Sequence, residues 1–193
     1  MKIIIIDDHI LLGQALSLSL RITYGDNIAT YIPNDFDYTL LHDCDLLLLD
    51  FDFGPWGNAN DVLRNLDRLK IDHLKIVLFS SLWKTPVLMT CRHPLVRGYV
   101  TKECNLSNFV SAINAVMEGG TWYQPEYVEE IKRLIALPKG RALSPREEEV
   151  AHLIGQRYSR EEIAAKLNIS INTVSNHRKS IFNKLNVKSE REI

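Results

Sequence analysis

Short apolar runs alternate with amphipathic segments over the first 120 residues. The run Leu46–Asp50 opens with four leucines and shows no period-two alternation, which is typical of a strand covered on both faces. Similar runs occupy Lys2–Ile6, Ile28–Tyr31, Lys75–Phe79 and Gly98–Thr101. Since helical segments separate them, the pattern predicts an α/β fold, a doubly wound parallel five-stranded sheet.

The intervening segments carry apolar residues at helical spacing. Predicted helices cover Ile10–Arg21, Asp61–Leu69 and Leu106–Met117, and Phe36–Leu41 is a weaker one. The spaced apolar residues are Leu11, Ala15, Leu18 and Ile22 in the first helix, and Val62, Leu63, Leu66 and Leu69 in the second. Pro86 and Pro94 limit any helix within Thr85–Arg92 to a short piece.

Residues 121–193 show helical patterning without further strands. A linker, residues 121–142, contains a predicted helix over Glu126–Leu137 that Pro138-Lys139-Gly140 ends. Capping-box patterns at Ser144…Glu147 and Ser159…Glu162 each begin a helix, and a third helix covers Ile171–Leu185. Residues 143–193 therefore form a small all-α domain with a helix-turn-helix.

Charge divides the chain in the same way. Residues 141–193 carry ten Lys/Arg and seven Asp/Glu, whereas residues 1–140 carry 13 and 17. A basic tail after an acidic domain indicates two roles, the second involving nucleic acid. The three cysteines show no metal-ligand spacing, and no apolar run approaches ~18 residues, so a reduced, cytoplasmic chain without a membrane segment is expected.

Polar residues stand where the predicted strands end. They are Asp7, Asp8, Asp50, Ser80 and Lys102. Parallel strands end at one rim of the sheet, where crowded carboxylates would favour Mg²⁺, and a lysine and a hydroxyl could hold phosphoryl oxygens. Each residue alone has a simpler explanation: a turn-capping aspartate, an acid pair at a helix start, or a solvated lysine.

As a set, these residues resemble the flavodoxin-like receiver domain of two-component response regulators over residues 1–120. The resemblance implies that a sensor histidine kinase phosphorylates Asp50. It implies that the acidic pair, Asp50 and the backbone carbonyl of Asp52 hold Mg²⁺. Ser80 and Lys102 would bind the phosphoryl oxygens, and Tyr99 would be the aromatic side chain that turns inward on activation.

Two features of the sequence keep alternatives open: one departure from the receiver pattern and one resemblance to another family. Arg92–Val96 replaces the small turn that usually precedes the fifth strand, which leaves an orphan regulator as one alternative: its receiver would serve as a phosphorylation-independent dimerisation or protein-binding module. Asp50-Phe51-Asp52 also resembles the first motif of haloacid-dehalogenase-type phosphatases. That motif normally lies on the first strand, however, and we expect no enzyme.

The third helix of the tail has one polar, acid-free face. Leu143–Glu147 and Ile169–Val174, together with His177 and Leu185, closely resemble the LuxR-type DNA-binding domain, although Ser175 stands where that family often has lysine. Expected DNA contacts are Asn172, Thr173, Ser175, Asn176, Arg178, Lys179 and Lys184.

A receiver domain followed by a LuxR-type domain resembles the NarL/FixJ family of transcription factors. The resemblance implies a homodimer that binds promoter DNA, with RNA polymerase as a candidate partner. In that family a fourth helix of the DNA-binding domain would start near Ser189. Since the sequence stops at Ile193, we expect this helix to be either truncated or very short.

Overall fold

The computed structural model describes residues 1–34, 36–81, 85–137 and 143–193. Contacts divide the chain into two compact units, Met1–Trp83 with Thr90–Glu129, and Lys84–Met89 with Glu130–Ile193. The predicted helix end at Pro138-Lys139-Gly140 and the boundary at 142/143 lie outside the described residues. Within the described ranges, no helix combines the length and apolarity needed to cross a bilayer.

The first unit is built on a parallel sheet. Its strands are β1 (Ile3–Ile6), β2 (Ile28–Tyr31), β3 (Leu46–Asp50), β4 (Lys75–Ser80), β5 (Val96–Thr101) and β6 (Trp122–Tyr123). They pair in the order β2-β1-β3-β4-β5-β6, and every pairing is parallel. The predicted α/β class is confirmed, but the sheet has six strands in its described part rather than five.

The strand missed by the sequence is β6. It has two residues, and it pairs through Gly98–Trp122 and Tyr99–Tyr123 at the edge of the sheet. A two-residue edge strand has no measurable period, so hydrophobic pattern cannot reveal it.

The helices between residues 10 and 135 of the described chain are α1 (Ile10–Tyr24), α2 (Ala59–Leu69), the short α3 (Thr85–Met89), α4 (Leu106–Met117) and α5 (Val128–Ile135). Of these, α1, α2 and α4 belong to the first unit and cover its sheet, whereas α3 and most of α5 belong to the second unit. The side chains of Ile3, Ile5, Leu46 and Leu48 pack with apolar residues of α1 and α4. Their neighbours on the other face of the sheet, such as Ile4 and Leu47, are also fully buried, as the uninterrupted apolar runs predict.

Three local predictions need correction. The stripe Leu11, Leu18 and Ile22 of α1 is 81%, 64% and 89% exposed, because the other face of the helix is buried. That buried face consists of Gly13, Leu16, Ser17 and Leu20. Leu69 is at the surface, at the last position of α2. The weak helix Phe36–Leu41 is a 3-10 turn at Tyr38–Asp43, and Phe36 packs edge-on against Tyr31.

The part of the second unit that follows residue 143 has three consecutive α-helices around one apolar cluster. They are α6 (Pro145–Gly155), α7 (Arg160–Leu167) and α8 (Ile171–Leu185). Both predicted capping boxes are present, at Ser144 and at Ser159. Asn168 ends α7 in the left-handed region, with φ 51°, which produces the tight turn before α8. A 3-10 turn, Glu190–Glu192, follows α8, and Ile193 joins the cluster.

Candidate functional site

The strand register brings the acidic residues of β1 and β3 to one rim of the sheet. Ile6 pairs with Leu49, so Asp7, directly after β1, and Asp50, at the end of β3, occupy adjacent positions at the carboxyl ends of neighbouring strands. Both residues are buried, with 1% and 2% of their surface exposed. Such burial of two carboxylates requires cations or hydrogen-bond donors close by.

Lys102 supplies that cation. Its Nζ lies 2.8 Å from Asp50 Oδ2 and 3.0 Å from Asp7 Oδ1, and its side chain is 9% exposed. The backbone fixes its position, because Lys102 N–H donates to the carbonyl of Ser80 at 3.0 Å. One ammonium group therefore joins the ends of β1, β3 and β5.

Burial and ion pairing act in opposite directions on these groups. Burial raises the pKa of Asp50 to about 7. The ammonium of Lys102 and the N–H of Phe51 lower this pKa, but burial has the larger effect. Burial would lower the pKa of Lys102, but Asp50 and Asp7 outweigh it and hold that pKa above its usual value. The cluster thus contains a carboxylate that titrates near neutrality beside a firmly protonated amine.

Four ligand-type residues converge at this rim. Asp7, Asp8, His9 and Asp50 each place one oxygen or nitrogen so that all four atoms lie within 4.8 Å of one another. Asp7 Oδ2 and Asp8 Oδ1 are buried and receive no hydrogen bond. Sequence reasoning missed His9, although its place directly after the acid pair was a usable signal.

The remaining predicted residues of the first unit differ in their surroundings. Ser80 is buried at the end of β4. The carboxylate of Asp52 faces its own loop, where Oδ1 accepts the N–H of Gly54 at 3.0 Å. Tyr99 is fully buried on β5, edge-on to Tyr127 with ring centroids 5.7 Å apart, and burial raises its pKa strongly.

Helix α8 presents two different faces. Val174, Ile181 and Leu185 are fully buried in the core of the second unit, as predicted. Asn172, Asn176 and Lys179 are exposed and follow one another by four and three positions, so they share one face. Ser175 is half-buried beside them.

Three predicted DNA contacts are engaged within the second unit. Lys184 Nζ donates to Glu147 Oε2 at 2.6 Å. Arg178 Nη2 lies 2.6 Å from Glu190 Oε1, and its guanidinium stands over the ring of Phe182. Thr173 Oγ1 lies 2.8 Å from the hydroxyl of the N-cap Ser170. The structure therefore does not place these side chains with the exposed group of Asn172, Asn176 and Lys179.

Glu147, on α6, forms hydrogen bonds to two side chains of α8. Its carboxylate accepts hydrogen bonds from the Ser144 N–H, the Ser180 hydroxyl and Lys184 Nζ, each at 2.6 Å. Burial would raise the pKa of Glu147, but these donors outweigh it and lower the pKa to about 2. The sequence predicted the capping role of Glu147 but not its link from α6 to α8.

Comparison with known proteins finds similarity along the whole chain, and a family match for its last part. Residues 141–193 match the family of bacterial regulatory proteins of the luxR type. The oxygen regulatory protein NreC of Staphylococcus carnosus is 26% identical over 211 residues, covering 100% of this chain and 94% of NreC. The fimbriae Z protein of Salmonella typhimurium is 25% identical, with coverages of 100% and 93%.

Solved structures agree along the whole chain. RcsB from Salmonella enterica serovar Typhimurium, bound to promoter P1flhDC in the presence of the phosphomimetic BeF3−, has a TM-score of 0.65 at 25% identity, covering 99% of this chain and 95% of that one. A complex of the two-component response regulator RcsB with DNA has a TM-score of 0.59 at 26% identity, with coverages of 98% and 93%.

Proposed function

We propose that this chain, which belongs to the NarL/FixJ family of two-component response regulators, accepts a phosphoryl group on Asp50 and binds DNA through α8. One observation carries the proposal: Lys102 joins Asp7 and Asp50 at the carboxyl ends of the strands, at 3.0 and 2.8 Å. The luxR-type match of residues 141–193 supplies the output domain.

The donor set at the rim fits a small divalent cation such as Mg²⁺. Mg²⁺ prefers oxygen ligands and binds through a few carboxylates while keeping waters. Asp7 Oδ2 and Asp8 Oδ1, buried without hydrogen bonds, are available to such an ion. Asp7, Asp8 and Asp50 would hold it, with the Asp52 carbonyl as the further expected ligand, and it would neutralise charge between the Asp50 carboxylate and the phosphoryl oxygens.

The chain's own groups support attack by Asp50. An Asp50 oxygen attacks phosphorus, and the bond from phosphorus to the donor breaks. Lys102 already bonds Asp50, so its ammonium can move to a phosphoryl oxygen without leaving the rim. Ser80, buried at the end of β4, would bind another of these oxygens. The expected donor is a sensor histidine kinase.

The exposed face of α8 supports base readout in the major groove. A helix fits that groove, and Asn176 can bond an adenine edge through two hydrogen bonds. Lys179 would contact phosphate. A homodimer would place two such helices on half-sites about one helical turn apart, roughly 10 bp.

Intact-protein mass spectrometry tests the phosphoacceptor. Incubated with Mg²⁺ and phosphoramidate, wild type should gain the mass of one phosphoryl group, whereas Asp50→Asn should gain none. Asp52→Asn is the matched control, since its carboxylate faces its own loop, and it should still be labelled. Equal labelling of wild type and Asp50→Asn would refute the assignment.

DNA titrations at several salt concentrations test α8, on sites selected by wild type. Asn176→Ala should relax preference at one base pair, at a cost of about 1–3 kcal/mol. Lys179→Ala should weaken all sequences alike and reduce the salt slope by about one unit. Lys132→Ala, which removes an exposed lysine from α5, is the control and should leave both properties unchanged. Unchanged base preference and salt slope in both α8 variants would exclude this face as the reader.

A second candidate is a receiver that works without phosphorylation. The observation that favours it is Tyr99, which is already buried against Tyr127 rather than turned outward. In that case wild type would bind its sites equally well before and after treatment with phosphoramidate. A higher affinity after treatment, absent in Asp50→Asn, would instead support the phosphorylation switch.

A further inference from the structure

We propose that His9 supplies its Nδ1 as a ligand at the rim cation site, which therefore selects Mn²⁺ and the later divalent transition metals over Mg²⁺. The inference rests on the cation site of the proposed function and adds its metal preference. It concerns a side chain that the phosphoryl chemistry itself leaves unused.

The first observation is the position of the imidazole. His9 Nδ1 lies 2.7 Å from Asp8 Oδ1 and 3.3 Å from Asp7 Oδ1. Neighbouring ligands of an octahedral ion with bonds of about 2.1 Å lie roughly 3 Å apart, so these separations, which also allow a hydrogen bond from Nδ1 to Asp7 Oδ1, fit atoms that share one ion.

The second observation is that Asp8 Oδ1 receives no hydrogen bond despite its 2.7 Å separation from His9 Nδ1. The two atoms approach each other, but not with the geometry of a donor directed at an acceptor. A cation between two lone pairs satisfies both atoms, and it leaves the His9 proton on Nε2.

The backbone holds His9 at this place. Its N–H donates to Asp7 Oδ1 at 2.8 Å, and its carbonyl accepts the N–H of Gly13 at 3.1 Å in the first turn of α1. The side chain remains 68% exposed, so the ring can adjust its direction towards an ion without disturbing the core.

Ligand chemistry then gives the selectivity. Mg²⁺ strongly prefers oxygen, whereas imidazole nitrogen binds transition metals, with affinity rising from Mn²⁺ towards Cu²⁺. An imidazole beside three carboxylates therefore increases the preference for Mn²⁺ over Mg²⁺ relative to a site with the three carboxylates alone.

Pulsed electron paramagnetic resonance on the full chain tests the nitrogen directly. Mn²⁺-loaded wild type should show coupling to a coordinated ¹⁴N nucleus, which changes to the ¹⁵N pattern after labelling with ¹⁵N-histidine. His9→Asn should bind Mn²⁺ without this imidazole signal. His42→Asn, at another exposed histidine, is the control and should keep it.

Competition between the two ions gives an independent measurement. Loss of a residue that only hydrogen-bonds to a metal ligand costs roughly 10–100-fold in metal affinity. Loss of a direct ligand in His9→Asn should therefore reduce the preference for Mn²⁺ over Mg²⁺ at least about tenfold. An all-oxygen spectrum in Mn²⁺-loaded wild type, or an unchanged preference in His9→Asn, would overturn the role of His9 while leaving Asp50 labelling intact. No saturable Mn²⁺ binding in wild type would instead remove the cation site itself, and with it this inference.

Discussion

One residue, Lys102, sets the electrostatics of the rim. Its ammonium touches carboxylates from two strands, and both carboxylates are buried. It stabilises them in the absence of metal, and it neutralises negative charge on two of the carboxylates that a metal ion would bind. The ammonium group and the metal ion therefore compete in part for the negative charge of the Asp7 and Asp50 carboxylates.

Replacement of Lys102 by Met tests that competition. Met keeps the apolar stem of the side chain and removes the charge, so Asp7 and Asp50 lose their ion pair. We expect the free energy of unfolding without metal to fall by about 3–5 kcal/mol, the usual effect of removing one partner of a buried pair. We also expect Mg²⁺ to raise the Tm of Lys102→Met more than that of wild type.

Thermal unfolding over a Mg²⁺ titration gives both quantities. Asp8→Asn in each background is the control, because it removes a predicted metal ligand. Identical Mg²⁺-induced shifts in wild type and Lys102→Met would show that the lysine does not compete with the ion.

At the scale of elements, a glycine decides how α1 packs on the sheet. A Cβ on Gly13 would lie 2.6 Å from Cγ2 of Thr30 on β2, a side chain whose β-branching leaves it little freedom. The close approach favours burial of the face with Gly13, Leu16 and Leu20, and leaves Leu11, Leu18 and Ile22 exposed.

We therefore expect Gly13→Ala to destabilise the chain by about 1–2 kcal/mol, because overpacking outweighs the gain in helix propensity. Thr30→Ser removes the Cγ2 methyl group, so Gly13→Ala should cost much less in that background. Chemical denaturation of the four proteins in this cycle gives the coupling energy. Additive effects would show that the close contact does not control the packing of α1.

The link from α6 to α8 predicts an acid-dependent stability. The pKa of Glu147 is about 2 in the folded chain, below its usual value of 4.5. The charged carboxylate therefore stabilises the fold fully above pH about 4.5, and this stabilisation is lost as the pH falls towards 2. Glu147→Gln should lower the free energy of unfolding by about 1–3 kcal/mol at pH 7.

The difference between Glu147→Gln and wild type should shrink between pH about 4.5 and 2. Denaturant titrations at a series of pH values measure it. Glu162→Gln, at the exposed second capping box, is the matched control and should show a smaller effect at every pH. A difference that stays constant with pH would contradict the role of the Glu147 charge.

At the scale of the whole molecule, the sequence predicted the elements better than the directions of their side chains. Runs such as Leu46–Asp50 define buried strands, and parallel pairing places their ends together. The face of α1 could not be predicted, because apolar residues lie on both sides of that helix and the fit of Gly13 against Thr30 decides between them.

The same limit applies at the sites. The acidic rim follows from strand order, but the place of His9 depends on the backbone turn into α1. Lys184 was predicted as a DNA contact because it is basic and lies on α8. Its bond to Glu147, 37 positions away along the chain, appears when the helices pack.

The bridge formed by Lys102 also has a consequence for folding kinetics. It joins residues separated by 95 and 52 positions, so it forms after three strands have been brought into register. Contacts of such long range close late, and interactions absent from the transition state act on unfolding rather than on folding. Mg²⁺ would bind carboxylates of the same rim, so it should act in the same way. In stopped-flow tryptophan fluorescence, Mg²⁺ should slow unfolding of the wild-type chain and leave its refolding rate unchanged. Faster refolding with unaltered unfolding would mean that the rim assembles early.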